Sequence, residues 1–195
     1  MERRSQAERT QTTRARLVAA AIECLVERGW AATTAVEVCA RAGVTRGALM
    51  HHYPNLSALL AEALGSLYSE LSVPGPPVEN LVALVDDLWA RVSMPEFKAV
   101  IEAWLAAAND AELRAELEPV IANFAKLIRP AELSIRDLLA DPDAAAFYQL
   151  ARESMLGLAL GRATSWSGRP LAHEVVVLDQ LRARATEIES RMGNA

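Results

Sequence analysis

Hydrophobic and polar positions alternate along the chain with the period of an α-helix. Residues 13–28, TRARLVAAAIECLVER, carry arginine and glutamate on the faces that are not apolar. One face is apolar, through Leu17, Ala21, Cys24 and Leu25. Gly29 follows as a C-terminal stop. This pattern predicts an amphipathic helix over residues 13–28.

A second, shorter helix is predicted directly after this one. Thr34 is a good N-cap residue, and Glu37 follows it at the spacing of a capping box. Val38 and Ala42 lie four residues apart and share one apolar face. Gly43 ends the helix.

The third helix is short as well. Thr45 caps its start, and it extends to about His52, because Pro54 prevents continuation. Asn55 is a suitable cap for a fourth helix that extends to about Ser72.

Beyond this region, proline and glycine divide the chain. The segment SVPGPP at residues 72–77 reads as a linker, and a kink or break is expected at Pro119 and Pro130. Five further helical stretches are predicted, at 78–92, 95–108, 110–139, 142–167 and 170–192. No stretch sustains the alternation of a strand, so the predicted fold class is all-α.

Charge is distributed unevenly over the 195 residues. The chain carries a net charge of −5, yet residues 1–53 hold eight arginines and five acidic residues. The first part is therefore net +3 and the remainder net −8. A local positive field attracts a polyanion even when the whole protein is acidic.

Several classes of protein are disfavoured by what the sequence lacks. No run of apolar residues is long enough for a membrane span, and the arginine-rich N-terminus has no secretory pattern. Two cysteines and three histidines match no zinc spacing. No nucleophile elbow, P-loop or dinucleotide motif is found. We expect a cytoplasmic protein without enzymatic activity, metal, cofactor or membrane partner.

Two short helices joined by a tight turn at residues 42–44 form a helix-turn-helix. In such a motif the second helix enters the major groove of DNA. Arg46 in its first turn is placed to donate a bidentate pair to a guanine edge, and Thr45 reaches phosphate or base. The arginine-rich segment 3–16 would add phosphate or minor-groove contacts.

Residues 13–60 resemble the DNA-binding region of the TetR family of bacterial transcriptional regulators. The words that carry the resemblance are TRARLVAAAIECLVERGWAATT and VCARAGVTRGALMHHYPNLSALL. The resemblance implies a three-helix helix-turn-helix head with a basic arm over residues 1–54. A helical effector-binding and dimerisation domain would occupy residues 55–195.

The resemblance and the spacing together predict a DNA-binding set. Its members are Thr34, Arg41, Thr45, Arg46, Gly47, Ala48, Met50, His51 and His52. The arginines remain open to a role as plain surface charges, and the histidines to burial or to simple exposure. Adjacent helix positions lie about 100° apart, so both histidines cannot share one buried face.

Two positions depart from the family pattern. Met50 stands where the family usually has tyrosine, and Leu56 stands where it usually has lysine. Both family residues are expected to contact phosphates, and losing one such contact lowers the salt dependence by about one unit. An alternative function is therefore a dimeric small-molecule-binding protein with weakened DNA affinity.

For the second domain, the resemblance implies an effector pocket and a homodimer. Candidate lining residues are Trp89, Trp104, Phe124, Tyr148, Arg152 and Met155, each of which could instead be core. Candidate dimer residues, from an apolar stripe and two glycines four apart, are Gly157, Gly161, Val175, Leu178, Leu181 and Ala185. The stripe could also pack inside one chain. The expected function is a repressor that a small apolar ligand releases from a palindromic operator, whose half-sites lie ~34 Å or a multiple of it apart.

Overall fold

The structure, a computed structural model, describes residues 6–71, 77–127, 135–165 and 170–193. Within these ranges it is helical and contains no strand, which confirms the predicted all-α class. A 3₁₀ turn, Leu138–Ala140, follows the seventh helix. The helices are α1 (Gln6–Arg28), α2 (Ala35–Ala42), α3 (Arg46–His52), α4 (Leu56–Leu71), α5 (Leu81–Val92), α6 (Pro95–Ala108), α7 (Ala111–Leu127), α8 (Pro142–Thr164) and α9 (Glu174–Met192).

The first helix begins at Gln6, so the predicted start at residue 13 is wrong. Threonines at 12 and 13 do not interrupt it. The Thr12 hydroxyl donates to the carbonyl of Glu8 at 2.7 Å, and Thr13 donates to that of Arg9 at 3.0 Å. Residues 6–16, expected to form a basic arm, are therefore helical. Residues 3 and 4 of that arm lie outside the described part of the chain.

One of the two prolines at which a kink or break was expected lies inside a described helix. Helix α7 continues through Pro119, where a kink or break was predicted. Pro130 and the linker residues 72–76 lie outside the described ranges. Residues 135–140 form a turn and the 3₁₀ segment rather than the end of a long helix.

The chain divides into two compact units. We call Met1–Leu71 with Ala99–Ala125 the head unit, and Ser72–Lys98 with Lys126–Ala195 the body unit. Helix α4 packs against α1 and so belongs to the head unit. The expected domain boundary after residue 54 therefore falls inside a compact unit, and the division into domains 1–54 and 55–195 stays a prediction.

In the head unit, α1 packs on α2 and α4 through its predicted apolar face. Leu17, Cys24 and Leu25 are fully buried there. Helix α2 contributes Val38 and Ala42 to the same core. This packing holds the helix-turn-helix on a rigid base.

In the body unit, α5, α8 and α9 pack on one another. Their core is a cluster of aliphatic and aromatic side chains, Val78, Leu81, Leu84, Val85, Ile135, Ala144, Phe147, Tyr148, Ala151, Met155, Leu178, Leu181, Ala185 and Ile188. Among the described helices, none is long and apolar enough to cross a membrane.

Candidate nucleic-acid interface

The turn between α2 and α3 is built by caps on both sides. The Thr34 hydroxyl accepts a hydrogen bond from the Glu37 amide at 3.3 Å, and Thr45 accepts one from the Ala48 amide at 3.2 Å. Gly43 closes α2 in the left-handed region with φ of 62°, which glycine adopts without strain. The capping box is half formed, because the Glu37 carboxylate pairs with Arg28 at 3.0 Å instead of reaching back.

Helix α3 is attached to the head through very little buried surface. Leu49 is the only residue buried within its seven described positions. Thr45, Arg46 and Gly47 are exposed at its start, and Ala48 is half-buried. The start of α3 thus offers a hydroxyl, a guanidinium and an open backbone to an external surface.

The two histidines lie at the end of α3. His51 is exposed and His52 is half-buried, and their ring centroids stand 5.4 Å apart in an edge-to-face arrangement. In the described part of the chain, no group of three or more potential metal ligands comes together. Their predicted contact with DNA stays a prediction.

The two predicted arginines are in different situations. The guanidinium of Arg41 pairs with Glu27 at 2.6 Å and with Glu23 at 3.3 Å, both on α1. The hydrogen bond with Arg41 lowers the pKa of the Glu27 carboxyl. Arg46 is exposed, and within the described residues its guanidinium makes no ion pair or hydrogen bond. Arg46 is therefore better placed than Arg41 to bind an anionic partner.

The two departures from the family pattern occupy different environments. Met50 is 50% exposed on α3, so it presents an apolar, flexible side chain among polar ones. Leu56 is half-buried at the start of α4. Neither residue can donate a hydrogen bond from its side chain to a phosphate.

A second carboxylate approaches the turn that follows α1. The amide of Trp30 donates to the Glu102 carboxylate at 2.6 Å. Gly29 adopts a φ of 81°, and a Cβ placed on it would lie 2.3 Å from that carboxylate. Sequence reasoning placed Gly29 correctly as a helix stop, but it missed Glu102, because the two residues are remote along the chain.

The family model described as "Bacterial regulatory proteins, tetR family" matches residues 17–63. The matched segment contains all of α2 and α3 together with about half of α1 and half of α4. Residues 17–63 therefore form a segment of the TetR-family type.

Two relatives from Pseudomonas putida show how the resemblance is distributed. The HTH-type transcriptional regulator CymR is 30% identical over 128 residues, which cover 62% of this chain and 63% of CymR. The HTH-type transcriptional regulator TtgR is 41% identical over 61 residues, which cover 31% of this chain and 29% of TtgR. The chain thus spans less than two thirds of either relative.

Solved structures resemble the chain over most of its length. The multidrug binding protein EbrR complexed with proflavin has a TM-score of 0.62 at 20% identity, covering 90% of this chain and 99% of EbrR. The putative transcriptional regulator SCO7518 from Streptomyces coelicolor A3(2) has a TM-score of 0.59 at 19% identity, covering 89% and 98%. These similarities establish the fold.

The predicted effector residues are distributed over both units of the protein. Tyr148 and Met155 are buried in the body core, and Trp89 is half-buried against it. Trp104 belongs to the head unit, where its indole N–H donates to the Tyr68 hydroxyl at 2.7 Å. Arg152 is exposed and pairs with Glu153 at 2.8 Å. The side chain of residue 124 lies outside the described part.

The predicted dimer residues divide into two groups. Leu178, Leu181 and Ala185 are buried in the body core of a single chain, so they are removed from the predicted interface. Gly161 is half-buried, and a Cβ on it would lie 2.7 Å from the Leu171 side chain. By contrast, Gly157 is exposed with open space around it, and Val175 is 65% exposed.

Sequence reasoning missed other apolar side chains that are exposed on the same two helices, α8 and α9. Val176 is 61% exposed, Leu150 58% and Leu160 39%. The run of three valines at 175–177 indicated an apolar segment. Which of these valines are exposed depends on the face of α9 that packs against the body core.

Proposed function

We propose that this protein is a transcriptional regulator that binds an operator as a homodimer and represses until a small apolar ligand releases it. The observation that carries the proposal is the exposed start of α3. Thr45, Arg46 and Gly47 project from a helix whose ends are fixed by caps, in the family-matched segment. A rigid, exposed helix of this kind fits the major groove of double-stranded DNA.

The direct test is binding to DNA that flanks the protein's own gene, measured at several salt concentrations. Specific binding should exceed binding to random duplex and weaken with salt, since Lys and Arg contacts release counterions. If no fragment bound better than random DNA at low salt, the regulator would be rejected.

Replacing Arg46 by alanine tests the proposed base contact. A bidentate pair contributes about 1–3 kcal/mol of discrimination, so Arg46→Ala should lose most sequence preference while retaining weak general binding. Arg184→Ala is a matched control, because Arg184 lies on α9 and is half-exposed in a pair with Glu187. Unchanged preference in Arg46→Ala would exclude this contact.

The dimer is proposed to form through the exposed apolar face of α8 and α9. Leu150, Gly157, Leu160, Val175 and Val176 supply it, and a patch of this kind marks an interaction surface. Val175→Asp should convert dimers to monomers in sedimentation at micromolar concentration. Leu105→Asp, on a 54% exposed residue of α6, should leave the dimer unchanged. Wild-type protein that sediments only as a monomer would contradict the dimer.

The ligand is proposed to bind in the body unit, beside Trp89, Tyr148 and Met155. Three of the six predicted residues meet at this core, and EbrR is described as a multidrug binding protein. With proflavin as the probe, Trp89→Phe should weaken binding in a calorimetric titration. Trp104→Phe is the control, since Trp104 lies in the head unit. Equal losses in both variants would argue against this location.

The alternative is a dimeric ligand-binding protein whose DNA affinity is weak. Exposed Met50 favours it, because this side chain cannot bond to a phosphate. The alternative predicts a dimer that binds ligand but no DNA, and restored DNA binding in Met50→Tyr with Leu56→Lys.

A further inference from the structure

An arginine of α1 lies where the end of α3 meets α4. The Nε atom of Arg14 donates to Glu62 at 2.9 Å to Oε1 and 3.1 Å to Oε2, and its Nη2 atom also donates to Oε2. The same guanidinium lies over the ring of Tyr53, 5.3 Å from the centroid. One side chain of α1 therefore touches α4 and the residue that ends α3.

Tyr53 is the C-cap of α3. Its amide donates to the Leu49 carbonyl at 2.9 Å, and its side chain is only 3% exposed. The position of this ring therefore determines where the last turn of α3 lies. Arg14 stacks on the ring while Glu62 holds the guanidinium in place.

The other end of α3 has a similar support. Arg16, two residues further along α1, donates to the Gly43 carbonyl at 3.4 Å, in the turn before α3. A Cβ on Gly43 would lie 2.7 Å from the Arg16 guanidinium, so the two groups are in close contact, and the φ of 62° favours glycine here. The two arginines contact the segments on either side of α3.

Helix α3 depends on such external supports. A seven-residue helix is marginal alone, and Leu49 is its single buried residue. Orientation must therefore come largely from the groups at its ends. On the DNA side, a small rotation of α3 would move Arg46 relative to a base edge, and bidentate geometry tolerates little displacement.

We propose that Arg14 and Glu62 are positioning residues for DNA recognition, which orient α3 through Tyr53 instead of contacting phosphate. This inference rests on the proposed DNA-binding function. It replaces the expectation that Arg14, as part of the basic segment 3–16, binds the DNA backbone. The pair with Glu62 already engages the Nε and Nη2 atoms of this guanidinium.

The sign of the Glu62→Gln effect separates the two roles. If Arg14 binds phosphate, removing a negative charge beside it should leave DNA affinity unchanged or raise it. Positioning requires the opposite, a loss of roughly two- to thirty-fold, as expected when a coupled residue is removed. The probe is the duplex that wild-type protein recovers with highest affinity from a randomised pool.

Arg14→Gln should weaken binding to the same duplex without changing its salt dependence, whereas a phosphate contact would reduce the slope by about one unit. Arg14→Lys retains the charge but loses the planar fork and the stacking. It should therefore bind almost as weakly as Arg14→Gln. Wild-type affinity in Arg14→Lys, or a reduced slope in Arg14→Gln, would overturn the proposal.

The exchanged pair, Arg14→Glu with Glu62→Arg, should recover a substantial part of the lost affinity. Arg184→Gln is the control and should leave the affinity unchanged, since Arg184 is an exposed residue of α9 in the body unit. An exchanged pair that binds more weakly than both single variants would also contradict the proposal.

A measurement without DNA keeps this inference separate from the proposed function. Amide hydrogen exchange over residues 46–53 should be faster in Arg14→Gln and Glu62→Gln than in wild type, while residues 81–92 in the body unit exchange as before. Unchanged exchange over 46–53 would reject the positioning role. If the wild-type protein recovers no duplex, the proposed function fails. The exchange measurement still tests whether Arg14 and Glu62 orient α3.

Discussion

Each unit of the protein contains an arginine–glutamate pair that joins two helices, but the two pairs differ in burial. In the head unit, the side chains of Arg14 and Glu62 are 54% and 33% exposed. In the body unit, those of Arg162 and Glu174 are 30% and 5% exposed. The same type of ion pair is therefore partly exposed to solvent in the head unit and largely buried in the body unit.

The body pair is also more completely enclosed by partners. Arg162 bonds both carboxylate oxygens of Glu174, at 2.6 and 2.7 Å, and donates to the Ser93 carbonyl at 3.2 Å. Its guanidinium lies 4.9 Å from the ring centroid of Trp89. The amide of Leu171 donates to Glu174 at 2.8 Å.

The difference indicates what each pair contributes. An exposed pair contributes little to stability, about 0–1 kcal/mol, so the head pair is suited to orientation. Breaking a buried pair leaves an uncompensated charge and is strongly destabilising. The body pair is therefore a structural connection between α8 and the start of α9.

The largest expected effect is on the body pair. Arg162→Met leaves the buried Glu174 carboxylate without its cation, and should lower the free energy of unfolding by about 3–5 kcal/mol. Urea denaturation followed by circular dichroism measures this. Arg184→Met, at a half-exposed pair, should change stability by less than about 0.5 kcal/mol. Similar losses of unfolding free energy in Arg162→Met and Arg184→Met would contradict the proposed difference in stability between buried and exposed ion pairs.

The second largest effect is expected at the part-buried contact between Gly29, Trp30 and Glu102 in the head unit. Gly29→Ala forces a left-handed alanine, which costs about 1–2 kcal/mol. It also displaces Glu102 from the Trp30 amide, a charged hydrogen bond of about 1.5–3 kcal/mol. Gly47→Ala is the control, because the nearest atom to its Cβ is 3.8 Å away. It should be neutral or stabilising, by up to about 1 kcal/mol. Equal stability of the two variants would contradict the close approach of Glu102.

The contributions of the Glu62 and Glu174 carboxylates to stability should also differ in how strongly they depend on pH. Hydrogen bonds from their arginines lower the pKa of both Glu62 and Glu174 below the usual value. Their stabilising effect is therefore complete above the unfolded pKa of about 4.3 and is lost as the pH falls through the folded values. Denaturation between pH 6 and about 3 should show a smaller loss in Glu174→Gln than in wild type. Glu62→Gln should reduce that loss less, as its carboxylate is more exposed.

The smallest effect is expected at Tyr53. Its hydroxyl is buried and finds no hydrogen-bond partner among the described residues. Tyr53→Phe should therefore be neutral or stabilising by about 1 kcal/mol at pH 7, while Arg14 keeps its ring contact. Burial raises the pKa of Tyr53 to about 12. Wild type should then lose stability as the pH rises from about 10 toward 12, and Tyr53→Phe should lose less. A marked loss at pH 7 would show that the hydroxyl has a partner.

Local features of the head could be predicted from the residues themselves. Thr34 and Thr45 cap α2 and α3 as expected, and Gly43 closes the turn in the conformation that its position requires. The start of α1 could not be placed, because Thr12 and Thr13 are weak helix formers that the structure accommodates through bonds to preceding carbonyls.

Contacts between side chains of different helices were predicted less well from the sequence. Arg41, and Arg14 as part of the segment 3–16, were predicted to contact DNA, yet both pair with carboxylates of neighbouring helices. Glu62 is surrounded by apolar residues in its sequence, and only its position opposite Arg14 gives it a role. In the body, the spacing of Leu178 and Leu181 indicated a buried stripe without indicating what buries it.

The sequence by itself determined the all-α class, the helix-turn-helix, its caps and the resemblance of this segment to a family, because caps, turns and helical periodicity depend on residues within a few positions of one another. The tertiary structure alone decided which charges are paired, which apolar face of α9 is exposed, and how α3 is held. Those properties depend on side chains that are tens of residues apart, and burial, not residue type, sets their strength.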